Sequence, residues 1–287
     1  MMILDIDPKV DYAFKRVYGR EENRDVLASI LEAVLEGTPF GSITDLEILN
    51  PFNERNTADD KLSIVDVRAR QKSGEVFNVE MQLLPNKALP QRLLYYWAVS
   101  HAGQLVKGNA YSELKPTIVI CFTDFVEFPE DSNCHSRFRV MNQQSRVFCH
   151  DLEIHLLELP KFQADEKAVA TPLDQWLFFL REAQNLDFDH RPSCLTLPTI
   201  HKAIEELQMI NLNEADHELY QDRLKASRDE RFRRNDTLAE GAMIGRIQLL
   251  ESLLGREETP FEQLDQKRWI ELKQLEADLK AELASRS

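Results

Sequence analysis

Asp66, Glu80 and Gln82 are the residues of this chain whose types and spacing are best suited to chemistry. The stretch from Lys61 to Gln82 alternates in the two-residue rhythm of a β-hairpin. Leu62, Ile64, Asp66 and Arg68 share one face of its first strand, and Val65, Val67 and Ala69 the other. In the second strand Phe77, Val79 and Met81 oppose Asn78, Glu80 and Gln82. Lys72-Ser73-Gly74 suits a three-residue turn with glycine at the left-handed position. Such a turn pairs Gln71 with Glu75 and, stepping back along both strands, Asp66 with Glu80; a bulge would shift this by one residue. Directly opposed side chains lie about 5 Å apart, and like charges there repel. Two acids so placed on mostly apolar strands suit a divalent cation, which takes oxygen ligands and leaves positions for water and phosphate. The same pattern also suits a solvated hairpin face with Arg68 and Arg70 as neutralising partners.

The elements that must position this pair are readable by the same means. Asp7-Pro8 predicts a helix capped by Asp7, running to Tyr18 and ended by Gly19. A second helix covers residues 22–36, and a strand follows near 43–49. Residues 89–107 read as a long helix with Leu93, Leu94, Trp97, Ala98, His101 and Leu105 in an apolar stripe, which makes His101 a packed core residue. Strands are expected at 116–122, 138–142 and 152–159. The order helix, strand, hairpin, helix, strand implies an α/β fold, a mixed sheet flanked by helices.

After about residue 165 the character changes. Pro172 to Arg181 forms an amphipathic helix capped by Thr171, and 197–236 is polar and helical. Leu272, Leu275, Leu279 and Leu283 recur at helical steps, as in a helix that packs on the core or on a second copy. The expected division is therefore a catalytic core over 1–165 and a helical extension over 166–287, serving oligomerisation or regulation.

Asp66, followed fourteen positions later by Glu80-Met81-Gln82, resembles the PD-(D/E)XK nuclease motif in its E-x-Q form. The surrounding sequence resembles one branch of that superfamily, the recombination-promoting nuclease and transposase family (Rpn) of bacteria. The matching pieces are Asp11 to Lys15 with Gly19, Glu22 and Asn23; Asp60-Lys61 with Val65 to Ala69; Phe77 to Gln82; Arg92 with Tyr95-Tyr96-Trp97; and Lys115 to Ile120. Together they run from about residue 5 to about residue 160.

The resemblance implies a restriction-endonuclease-like α-β-β-β-α-β core followed by an α-helical C-terminal extension. It implies Mg²⁺ or Mn²⁺ held by Asp66, Glu80 and the backbone carbonyl of Met81, with DNA as the substrate and a role linked to recombination or mobile elements. Gln82 stands where most of the superfamily carries lysine; it can position water but cannot supply charge. Asp11 and Lys15, four apart on one helical face, read alone as a surface ion pair. The resemblance brings them to the site, Asp11 as a further acid and Lys15 as a substrate contact. Gln91 and Tyr95 resemble the Q-x-x-x-Y pattern of RecB-type nucleases, and Arg92 beside them could clamp a phosphate bidentately. They read equally as a helix start and a core tyrosine.

Composition sets limits. A net charge of −14 argues against a general nucleic-acid coat, although a local cation site can override the global sign. Arg223 to Arg234 holds six basic residues within twelve, diluted by Asp229 and Glu230 and so more simply a solvated helix. The four cysteines show no metal-type spacing and suit reduced thiols in a cytoplasmic protein. No apolar run suits a membrane span. The rival to an endonuclease is a regulatory protein whose nuclease-like scaffold and helical tail bind another copy or another protein.

Overall fold

The computed structural model describes residues 4–50, 66–187 and 190–286. They form two compact units, Met1–Leu224 and Lys225–Ser287. The first is built on a six-stranded sheet with strand order β1-β2-β3-β4-β6-β5. Its strands are β1 (Glu47–Ile48), β2 (Val67–Arg70), β3 (Val76–Gln82), β4 (Thr117–Thr123), β5 (His135–Arg139) and β6 (Leu152–Glu158). β2 runs antiparallel to β3, while β3, β4 and β6 are mutually parallel. Parallel neighbours need a covered crossover, and α3 (Leu89–Ala102) supplies it between β3 and β4. The expected α-β-β-β-α-β order is present, with α1 (Asp11–Tyr18) and α2 (Arg24–Leu35) ahead of the strands.

Alternation of side chains gives the sheet two different faces. Val67, Ala69, Phe77, Val79, Ile118, Ile120 and Phe122 point into the main core with α1 and α2. Val119, Cys121, Ile154 and Leu156 pack on the other side against Leu89 and Leu93 of α3. α3 is pinned there by Asn78, whose amide donates to Ser100 Oγ at 2.8 Å and accepts from it at 3.2 Å. The Trp97 indole N–H reaches the Asp151 carbonyl at 3.1 Å.

Several expected boundaries move. The helix foreseen from Asp7 starts at Asp11, because the Asp7 carboxylate is used to accept the Lys9 N–H in a preceding turn. The strand near 43–49 contracts to Glu47–Ile48, the strand at 138–142 sits at His135–Arg139, and α3 stops at Ala102 rather than Lys107, with Gly103 as its C-cap. Leu94 leaves the buried stripe and is 47 % exposed. His101 is half-buried, its ring stacked on Trp97 at 4.8 Å. Residues 61–65, expected to open the hairpin, lie outside the described residues.

The boundary expected at 165/166 falls inside the first unit. α4 (Pro172–Glu182) and α5 (Pro198–Leu212) place Trp176, Leu177, Phe179, Ile200, Ile204 and Leu207 in the same core as α1 and α2. Thr171 does cap α4, accepting the Asp174 N–H at 3.1 Å. The second unit is helical, with a core of its own. Leu272 and Leu279 of α7 (Trp269–Ser285), with Leu275 and Leu283 partly buried beside them, pack on Met243, Ile244, Ile247 and Leu250 from the end of α6 (Glu214–Leu253).

Candidate active site

The hairpin register places the two acids side by side. Lys72-Ser73-Gly74 forms the turn, with the Gln71 N–H bonded to the Glu75 carbonyl at 2.9 Å and Gly74 at φ +108°. Val67 pairs with Val79, so Asp66 stands opposite Glu80. The pair is cross-braced: the Asp66 N–H donates to Glu80 Oε1 at 3.0 Å, and the Met81 N–H donates to Asp66 Oδ2 at 2.9 Å. Glu80 thus takes the backbone N–H of Asp66, and Asp66 takes that of the residue after Glu80, which fixes both carboxylates at once.

The electrostatics of the pair are unfavourable as it stands. Burial, then the charge of Asp11, push the Asp66 carboxyl up to about 6. Glu80 is 2 % exposed, and burial followed by the Asp66 charge lifts it well above the usual carboxylate range. Lys15 and Arg92 offset this only in part. Arg68, a candidate neutraliser, makes no ion pair among the described residues, and its Nε is buried without a hydrogen-bond partner there. Arg70 instead faces Glu47 at 3.4 Å. Two under-compensated carboxylates with oxygen-only donors fit a hard divalent cation, which is typically bound through one or two carboxylates. Among the described residues no group of three or more His, Cys, Asp or Glu forms a ready cage.

Around the pair the other expected residues separate into two sets. Gln82 joins the cluster: its Nε2 donates to Glu80 Oε2 at 2.9 Å, and its Oε1 accepts from Arg92 at 3.3 Å. Lys15 Nζ lies 2.8 Å from Asp11 and 3.8 Å from Asp66 Oδ1. Burial lowers the Lys15 pKa, but the Asp11 and Asp66 carboxylates together outweigh it and raise it above the usual lysine value. Gln91 and Tyr95 are exposed and are not brought into the cluster. The residue that reaches it is Tyr96, whose hydroxyl accepts from Arg92 Nη2 at 2.9 Å while its ring lies 5.5 Å from the guanidinium carbon. Arg92 and Tyr96 have the same four-residue spacing as Gln91 and Tyr95. The burial of Leu89 and Leu93 decides which pair faces the sheet.

α1 is itself held from behind by residues far along the chain. Arg16 forms a buried ion pair with Asp216 at the start of α6, and Tyr12 donates to the same carboxylate at 3.0 Å. The Tyr220 hydroxyl accepts the Asp7 N–H at 2.9 Å. Arg223, one turn further, adds positive charge that acts on Lys15. Reading the sequence found the basic run containing Arg223 but had no signal that its first member approaches the site.

A mixed sheet flanked by helices, with a carboxylate pair on the hairpin and an E-x-Q strand, is the architecture of the PD-(D/E)XK nucleases. Residues 8–235 match the family described as PD-(D/E)XK nuclease family transposase, and the chain belongs to that family. No curated protein and no solved structure matches it significantly. No helix of the described residues is long and apolar enough to cross a membrane.

Proposed function

We propose that this protein is a divalent-metal-dependent DNA endonuclease that cuts in the course of recombination or transposition. The observation that carries this reading is the buried, cross-braced Asp66–Glu80 pair, which leaves excess negative charge where a cation would sit. Asp66 and Glu80, with the Met81 carbonyl, would hold Mg²⁺ or Mn²⁺. When bound, such an ion lowers the pKa of water and offsets charge developing on phosphate oxygens.

The protein's own groups supply position and charge. Gln82 is tied at both ends of its amide, to Glu80 and to Arg92, and so presents its remaining donor in a fixed direction to orient the attacking water. It carries no charge, and Lys15 provides the ammonium that this position lacks. Asp11 keeps Lys15 aimed at Asp66 and adds a further acid. Arg92, splayed between Gln82 and Tyr96, offers its guanidinium to a phosphate oxygen, a bidentate partner when both N–H groups turn to it. Gln91 and Tyr95 would reach substrate only outside this cluster.

Nicking of a supercoiled plasmid with Mg²⁺, with Mn²⁺ and with chelator tests the proposal. Cleavage that requires either ion is expected; intact plasmid under every condition would refute it. In the same assay Gln82→Lys sets a second ammonium against Arg92. Its rate should change by on the order of tenfold, or its pH profile should move, because the water-orienting group has changed. An unaltered rate and profile would remove Gln82 from the chemistry.

A further inference from the structure

Acids outnumber bases in this chain by 49 to 35, yet Arg68 of β2 forms no ion pair among the described residues. Its neighbours on the hairpin do: Arg70 faces Glu47 at 3.4 Å, and Lys72 faces Asp45 at 3.1 Å. Arg68 Nε is buried without a hydrogen-bond partner among the described residues. The residue across the ladder, Asn78, has its amide committed to Ser100 on α3. The side chain is half-buried, and burial, then the charge of Arg70, lower its pKa. A cation so placed is held at a cost, which a bound anion would offset.

Position selects the anion. Residues two apart on a strand share a face, so Arg68 lies on the same side of the sheet as Asp66, and Asn78 on the same side as Glu80 and Gln82. Along the hairpin ladder Gln82, bonded to Arg92, comes first, then the Asp66–Glu80 pair, then Arg68 opposite Asn78. The carboxylates therefore lie between two arginines. Asp66 and Arg68 are about 7 Å apart along β2, close to the separation of adjoining phosphates on one DNA strand. We propose that Arg68 binds the phosphate next to the one that is cut, and so sets the register of the cleaved strand over Asp66 and Glu80. Because the side chain is only half-buried, a phosphate can reach its Nη end and be held there by two parallel N–H groups. Arg92 serves the reacting phosphate and Arg68 its neighbour. The choice of ligand rests on the nuclease reading; the want of a counter-charge at Arg68 does not.

Binding of the full-length chain to a short labelled duplex, measured in Ca²⁺ over a range of KCl, tests this apart from cleavage. Arg68→Met should weaken binding about tenfold and reduce the slope of log K against log salt by about 0.9, the share of one phosphate contact. Arg68→Lys should recover the slope, since it restores the charge, but only part of the affinity, since it lacks the planar fork. Without DNA, Arg68→Met should melt no lower than the wild type. A second arm cuts duplexes that carry one neutral methylphosphonate beside the cleaved bond. The wild type should lose about tenfold in rate at that bond, and Arg68→Met should lose nothing further. An unchanged salt slope would overturn the proposal, as would a methylphosphonate effect equally large in both proteins. So would a marked fall in the melting temperature of Arg68→Met, which would place its counter-charge within the protein. A wild type that binds the duplex but never cuts DNA would count against the nuclease reading alone, with the salt slope still deciding Arg68. One that does not bind at all would overturn both.

Discussion

Replacing Asp66 or Glu80 by alanine should reduce metal-dependent DNA cleavage by on the order of 10²–10³-fold or more, the loss that follows removal of one preorganised electrostatic partner of a transition state. The metal-free variants should be at least as stable as the wild type, because each substitution removes a carboxylate that the fold holds at a cost. The pH dependence separates this from simple damage. The Asp66 carboxyl rises to about 6 in the folded chain, against about 3.9 when unfolded. Between those values the unfolded state has lost its proton and the folded state has not, so stability without metal falls as pH climbs through that window. Asp66→Asn should flatten this part of the profile, and Mg²⁺ should restore stability to the wild type alone. Thermal melts from pH 4 to 7 with and without the ion, run beside nicking assays, provide the check. Wild-type cleavage by either alanine variant would end the assignment.

The second large effect lies behind α1. Asp216→Ala leaves the Arg16 guanidinium, 5 % exposed, without its closest counter-charge and the Tyr12 hydroxyl without its acceptor. Breaking a buried pair from one side costs about 3–5 kcal/mol. Glu206, 3.5 Å from Arg16 Nε, holds the loss toward the lower end. Urea unfolding of the variant should show a destabilisation of about 3 kcal/mol, and the double change Arg16→Met with Asp216→Leu should recover much of it. A loss below about 1 kcal/mol for Asp216→Ala would mean that the network does not anchor the helix carrying Asp11 and Lys15.

The hairpin was legible in the sequence because two independent constraints coincide there. Strand alternation assigns faces, and the length of the Lys72–Gly74 turn sets the register, so Asp66 could be placed opposite Glu80 before any coordinates. The companions of the pair were less legible. Arg92 stood out, but choosing Tyr96 over Tyr95 depends on the rotation of α3, which Leu89 and Leu93 set only once they meet Val119 and Cys121. Asp7 had the residue type of a helix cap, yet its carboxylate serves a turn. α4 and α5 show the limit most clearly. An apolar stripe announces that a helix will be covered but not by what, and Trp176 and Ile204 turn out to complete the core beneath α1 and α2. For that reason a fragment of residues 1–165, although it holds every residue expected at the site, lacks part of the core that α4 and α5 supply.

The ties from Asp7, just ahead of α1, to Tyr220 and from Arg16 of α1 to Asp216 span 213 and 200 residues of chain, and that separation gives the site a place in time. A protein is made from its N-terminus at roughly 5–20 residues per second. Asp11, Lys15, Asp66 and Glu80 are therefore all synthesised on the order of ten seconds before the residues that hold α1 in place. A nascent chain carries every acid of the site without the scaffold that aligns them, and contacts so distant in sequence form late in folding. Competence would then arrive with the start of α6, so an interrupted message should yield a polypeptide that has the motif but cannot assemble it.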